Sequence, residues 1–304
     1  MRWVIKGALL LLLLLTLTAY LGTFNPYFEL TTHFRVQYLA LALFSLPFLL
    51  GSSQWLTLAF MIVILNGITI VPLYSAPATH PEGVHIKLLL ANVHYLNKRY
   101  SELIQLIETE HPTIAVIQEA TQTWKQQLTR LNTLWPYRYS TSDSGVFGII
   151  LLSQITIDSS AVVVLSRSGR EGILAHFSVD GKALALLTIH PLPPYDPTFL
   201  QYRNQQLANA EKILTPISTP KIVMGDLNVT PWSPYYRQLL KGSGLRNARK
   251  GFGILPTWPS WSLLDGLRIP IDHCLVNSAI EVINIKTIPI IGSDHLSLVI
   301  DIAV

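Results

Sequence analysis

Residues 221–232 read KIVMGDLNVTPW, an apolar run that ends in Gly-Asp and is followed by Asn228, Thr230 and Pro231. Ile222, Val223 and Met224 have the length and composition of a short buried strand. A carboxylate and a side-chain amide at the end of such a strand are poor choices for packing. The stretch therefore reads as a strand that delivers polar chemistry to a sheet edge. The same arrangement recurs upstream, where Asn92 falls at the end of IKLLLANV (86–93), Glu119 closes TIAVIQE (113–119) and His190 closes KALALLTIH (182–190). GVFGIILLS, AVVVLS, GILAHFSV, IDHCLV and LSLVIDIAV add further strand-like runs between Gly, Ser, Asp and Pro. Leu103, Ile104, Leu106 and Ile107 predict a helix over 100–110, ended by His111-Pro112, and a second helix is predicted over 199–214. Short buried strands separated by amphipathic helices imply an α/β domain from about residue 84 to 304, within the usual size of one domain of about 50–250 residues.

That domain accounts for only part of the composition. The chain has 304 residues, half of them hydrophobic and 13% charged. Of its 22 basic and 18 acidic side chains only Arg2, Lys6, Glu29 and Arg35 fall before residue 81. The split excludes a purely soluble protein, and the polar remainder excludes a many-pass transporter. After residue 80 there are 19 Lys and Arg against 17 Asp and Glu, so the pI of 9.1 argues little for nucleic-acid binding. Cys274 is the sole cysteine, which precludes an internal disulfide and leaves an extracytoplasmic location open.

The first 74 residues are expected to form a transmembrane region of three helices, at about 7–24, 36–53 and 54–74, with Pro47 interrupting the second. A cleaved signal peptide is the competing reading of the first segment, although no small-x-small site comes after it. The second can also be a hairpin or an interfacial helix, and the parity of spans decides the side on which the domain lies. Arg2 and Lys6 hold the N-terminus in the cytoplasm, so three crossings place the domain outside, in the periplasm or extracellular space. Residues 75–83, with Pro77 and Pro81, read as the linker.

Two more polar groups complete the inventory, Asp272-His273 after an apolar pair and Ser293-Asp294-His295 before the last strand. Carboxylates and amides are hard oxygen ligands suited to Mg²⁺ or Mn²⁺, and histidines beside acids move or stabilise charge near neutral pH. Together they suit metal-assisted hydrolysis of a phosphate ester. Plainer roles exist for each: Asn92 as a turn cap, Glu119 as the cap of the following helix, Asp226-Leu227-Asn228 as an Asx turn. His273 is expected to be structural, Trp232 and Trp258 to pack at the site rim, Arg203 to make a structural ion pair, and Arg246, Arg249 and Lys250 to form a solvated basic face.

The segments ANVHYLN, VIQE, TIHPLPP, GDLNVTPW, PTWP, IDH and GSDH, in this order over about residues 86–304, resemble the endonuclease/exonuclease/phosphatase superfamily of DNase I-like nucleases, apurinic endonucleases, neutral sphingomyelinases and inositol phosphatases. The resemblance implies a two-sheet α/β sandwich with the site at one edge. It also implies metal-site roles for Glu119, Asn92 and Asp294. Phosphate-contacting or catalytic roles are implied for His190, Asp226, Asn228 and His295, with Asp272 as the partner of His295. Whether Asp226 or a histidine takes the proton of the attacking water is left shared. The short loop TIHPLPPYDPT lacks a basic, aromatic-interleaved insertion that would grip duplex DNA. The expected protein is a membrane-anchored Mg²⁺- or Mn²⁺-dependent phosphodiesterase, held to the inner-membrane bilayer by its N-terminal helices. Its substrate is a phospholipid or other envelope phosphodiester, or nucleic acid in an extracytoplasmic nuclease. A non-catalytic membrane-tethered binding protein on the same fold is the alternative of another class, and the sequence leaves oligomeric state open.

Overall fold

The computed structural model describes residues 2–75, 82–142, 145–260 and 266–304. Most of the linker predicted over 75–83 lies outside them. The first part is helical: α1 (Arg2–Tyr20), α2 (Pro26–Thr31), α3 (Arg35–Ser45) and α4 (Ser53–Ile70). The second part contains β1 (His85–Asn92), α5 (Tyr100–Glu110), β2 (Ile114–Gln118), α6 (Gln122–Gln127), β3 (Tyr137–Ser140), β4 (Ile149–Ser153), β5 (Ile157–Val164) and β6 (Glu171–Val179). It continues with β7 (Lys182–Thr188), α7 (Pro197–Leu214), β8 (Lys221–Asp226), α8 (Pro234–Ser243), β9 (Leu245–Asn247), β10 (Asp272–Asn277), β11 (Glu281–Pro289) and β12 (Leu296–Ala303).

Two six-stranded sheets, ordered β11-β12-β1-β2-β4-β3 and β5-β6-β7-β8-β10-β9, pack face to face. Alternation along each strand builds the layers. In β1, Ile86, Leu88 and Leu90 enter the core between the sheets, while Leu89 and Ala91 pack outward with Leu103 and Ile107 of α5 and Trp124 of α6. On the other sheet Leu187 and Val223 pack outward with Leu207 of α7 and Leu239 of α8. Strands covered on both faces explain the unbroken apolar runs in the sequence. Each sheet holds one parallel pair, β1 with β2 and β7 with β8, joined by a helical crossover. Their carboxyl ends meet at one edge of the sandwich, and β10 starts there because Asp272 pairs directly with Asp226.

The helical part corrects the expectation of three membrane helices. Two stretches, Trp3–Tyr20 and Ser53–Tyr74, are long and apolar enough to cross a membrane. The middle one is not. α3 has 11 residues, about 16 Å at 1.5 Å per residue, and Pro47 turns the chain after it into a short 3-10 segment, Leu46–Leu49. The order of contacts fixes direction: Lys6 sits 5.1 Å from the Trp55 ring centroid, Asn66 donates to Thr16 Oγ1 at 3.0 Å, and the Tyr20 hydroxyl bonds the Leu65 carbonyl. α1 and α4 therefore run the same way. α3 runs back between their levels, with the Arg35 guanidinium 4.3 Å from the Tyr20 ring and Phe48 in a groove shared with Ile5.

Candidate active site

The sheet edge is assembled around Asp226. Gly225 precedes it because a Cβ there would lie 1.9 Å from the Ile189 carbonyl oxygen, so only glycine lets the ends of β7 and β8 approach. Asp226 divides its two oxygens between structure and chemistry. Oδ1 accepts from the Asn228 amide at 2.9 Å, closing an Asx turn that sets Asn228 at φ 50°. Oδ2 faces Asn92 Nδ2 at 3.3 Å, His190 Nε2 at 3.6 Å and His295 Nε2 at 3.7 Å. The turn and the functional role suggested by the sequence thus coexist in one side chain.

Asn92 Nδ2 also donates to Glu119 Oε1 at 3.1 Å, and its Oδ1 accepts from the His94 amide. Glu119 stands at φ 59° just past β2 and accepts from the Tyr95 amide at 2.9 Å. It does not cap α6, since Thr121 does so by accepting from the Trp124 amide. Asn228 Nδ2 donates to the Pro191 carbonyl at 2.9 Å, next to His190, whose ring lies 5.3 Å from that of Phe147. Asp272 Oδ2 holds His295 Nδ1 at 2.8 Å. Asp294 accepts from Trp258 Nε1 at 3.1 Å through Oδ2, and its buried Oδ1 has no hydrogen-bond partner. Seven of the eight expected residues are therefore joined through hydrogen bonds and close contacts, and Asp294 adjoins them beside His295.

The electrostatics distinguish the histidines. Burial alone would lower the pKa of His295, but Asp272 and Asp226 outweigh it and push it up to about 10, so the imidazolium persists at neutral pH. His190 is also raised, against its burial, by Asp226 and Glu119. His273 goes the other way, down to about 3, through burial and the neighbouring Arg249. It donates to the Val229 carbonyl at 2.7 Å and turns its other nitrogen to Arg249 at 3.3 Å, as a structural residue. The ligating atoms of Asp226, Asp272 and His295 lie within 4.8 Å of one another, a spacing that can admit a cation. The 2.8 Å contact within that group is nonetheless a hydrogen bond.

Two expectations about the rim are corrected. Arg249 is not on a solvated face: it is fully buried and donates to the carbonyls of Asp272 and Leu255, bracing the start of β10. A guanidinium can be buried where carbonyl oxygens meet its fork of donors. Trp232 is 2% exposed, but it packs with Ile70 and Leu73 of the N-terminal helical part and donates to the Thr69 carbonyl instead of lining the rim. Sequence reasoning also passed over Gln118. Its Nε2 donates to the Ile189 carbonyl at 2.9 Å and its Oε1 accepts from the Asp226 amide at 2.7 Å, tying the two sheets together at the site. A glutamine inside an otherwise apolar strand was the available signal. Ser293, singled out in the sequence only as a neighbour of Asp294, donates to the Asn92 carbonyl and accepts from the His295 amide.

The Endonuclease/Exonuclease/phosphatase family model matches residues 89–295, from β1 to His295. The chain belongs to this family. Its members are phosphoesterases and nucleases, and the fold agrees with solved structures. Danio rerio TDP2 humanised by 14 mutations superposes with a TM-score of 0.60 at 17% identity, over 72% of this chain and 99% of that one. A Bacteroides vulgatus family protein gives 0.60 at 16% over 73% and 99%, and the Neisseria 3′ phosphatase NExo bound to a product DNA hairpin gives 0.58 at 17% over 71% and 98%. A search of curated protein sequences finds no match.

Proposed function

We propose that this protein is a membrane-anchored, divalent-metal-dependent phosphodiesterase acting on phosphodiesters presented at a lipid surface. The observation that carries the chemistry is the junction of an oxygen-donor set with a histidine-acid pair on one carboxylate, Asp226. Glu119, Asn92 and Asp294 would hold Mg²⁺ or Mn²⁺, and the partnerless buried Oδ1 of Asp294 fits such a ligand. The cation supplies polarisation of a phosphoryl oxygen. His295, kept protonated by Asp272, and His190 donate to the charge that develops on phosphate, and Asn228 adds its amide. Asp226 lies between them, placed to orient water for in-line attack.

The lipid reading rests on surroundings. The loop after His190 meets α2 in a groove lined by Pro26, Tyr27, Leu30, Pro194, Tyr195 and Leu200. Tyr195 is 82% exposed, and its hydroxyl is pushed up by partial burial and by Glu119, Asp294 and Asp226, so it overlooks the acids. Exposed Tyr95, Leu96 and Ile291 add apolar surface beside loops that reach the site. The parallel course of α1 and α4, with Arg2 and Lys6 at the start, favours a catalytic domain on the far side of the membrane from the N-terminus. A nucleic-acid substrate is the second reading, favoured by the solved relatives that hold DNA, including Danio rerio TDP2 with a single-strand DNA product.

Full-length protein in nanodiscs, assayed with Mg²⁺ on a soluble diester reporter, headgroup-labelled lipid and a DNA oligonucleotide, tests both levels. Reporter cleavage abolished by EDTA and by Glu119→Ala is expected, with lipid preferred over DNA. Equal rates with and without EDTA would overturn the chemistry, and preference for DNA would overturn the lipid reading alone.

A further inference from the structure

The N-terminal helical part reaches the catalytic loop itself. Glu29, the only acid before residue 81, is completely buried on α2. Its Oε2 lies 2.9 Å from Arg203 Nη2, both side chains being fully buried, and its Oε1 accepts from Ser233 Oγ at 2.6 Å. Arg203, on α7, turns another nitrogen to the Asn228 carbonyl at 3.0 Å, while Asn204 Oδ1 takes Nε and Nη2. His33 Nδ1 meets Thr230 Oγ1 at 3.0 Å, and Trp232 Nε1 donates to the Thr69 carbonyl at 3.2 Å. Every second residue from 228 to 232, and Ser233 after it, is therefore tied directly or through Arg203 to the helical part.

The loop needs holding. Asn228 sits in the left-handed region that non-glycine residues avoid, and its side chain must project toward His190 while its carbonyl turns away. A guanidinium on that carbonyl from below opposes relaxation of the turn. The guanidinium is fixed in turn by the buried carboxylate, because an unpaired charge there would lack solvation.

We propose that Glu29 is a positioning residue for the reaction: through Arg203 it locks Asn228, and with His33 and Thr69 it makes the membrane segment part of the framework of the catalytic loop. The catalytic consequence rests on the phosphodiesterase reading above, but the structural coupling does not. Glu29→Gln preserves volume and removes the charge. Arg203→Lys keeps a cation for Glu29 but loses the fork that reaches two partners at once.

Full-length wild type, Glu29→Gln, Arg203→Lys and Thr230→Val are compared in nanodiscs by two measurements. For the first two variants kcat on the soluble reporter is expected to fall about 10- to 100-fold, the scale of a misplacement of roughly 1 Å, with KM within about two-fold. Hydrogen exchange at the amides of 227–233 is expected to quicken in all three variants, while β1, β2 and β8 keep wild-type protection. Wild-type kcat together with wild-type exchange in that loop overturns the proposal, as does exchange that rises equally over the whole domain. If Glu29→Gln does not fold, the other two variants decide by the same criteria. A wild type that cleaves nothing would remove the enzymatic reading, and local exchange would still report the lock.

Discussion

The two parallel strand pairs are built alike but used differently. β1-α5-β2 ends in Asn92 and Glu119, amide and carboxylate oxygens of the kind that bind hard cations. β7-α7-β8 ends in His190 and Asp226, with Asn228 just beyond, groups that handle protons and phosphoryl charge. Their surroundings differ as well. α5 packs on its own sheet and against Trp124 of α6, whereas α7 carries Arg203 into the ion pair with Glu29 of the helical segment. One half of the sandwich presents oxygen donors, and the other is braced by the helical segment.

Deleting chemistry from each half gives the largest expected effect. Glu119→Ala is expected to remove Mg²⁺ binding and to lower kcat on a diester reporter by more than about 10³-fold. His295→Ala is expected to lower kcat by about 10²- to 10³-fold with Mg²⁺ binding retained, the scale of losing one charge-stabilising donor. Isothermal titration of the metal alongside the assay checks the division, which would break if both variants lost the metal.

Gly225→Ala attacks the second half sterically. A methyl 1.9 Å from the Ile189 carbonyl forces β7 and β8 apart, and a loss of about 3 kcal/mol or more is expected in chemical unfolding. Stability unchanged by that substitution would show the edge to be pliable.

A smaller effect separates the halves by pH. The folded-state pKa of His273, about 3, lies below its ordinary 6.5. Above 6.5 neither state binds the proton and nothing is lost. As pH falls below 6.5 the unfolded chain takes up a proton that the folded one refuses, so stability declines until about 3. The cost at pH 5 is about 2 kcal/mol, from 1.4 kcal/mol per unit. His273→Gln, which can still donate to Val229, is expected to flatten this acid limb by about one proton in unfolding measured against pH. The smallest effect belongs to the first half: Gln105→Ala, on the exposed face of α5, is expected to change stability by less than about 0.5 kcal/mol in the same measurement.

The contrast also explains what could be seen in the sequence. Asn92, Glu119, His190 and Asp226 stood out because each is a polar residue closing an apolar run, a local anomaly. Arg203 was recognisable as a structural cation, but its partner Glu29 is 174 residues away, and nothing local connects them. Arg249 looked solvated beside Arg246 and Lys250, since burial by distant carbonyls leaves no trace in a charge run. The edge strand β11 was passed over because its exposed positions dilute the apolar pattern, and Pro47 marked the break in the second apolar stretch without revealing how short the helix before it would be.

The end of the second long apolar stretch has a further consequence. The Leu73 carbonyl accepts from the amides of both Gly251 and Gly253, Trp232 covers Ile70 and Leu73, and Glu29 holds Arg203 nearby. Attachment of the domain to the helical part therefore does not depend on an unbroken chain. A protease that nicked the peptide between the two parts would leave the domain docked, and release would require a detergent or chaotrope in addition to the cut. Shedding, the usual fate of a domain on a cleavable stalk, is disfavoured by this construction.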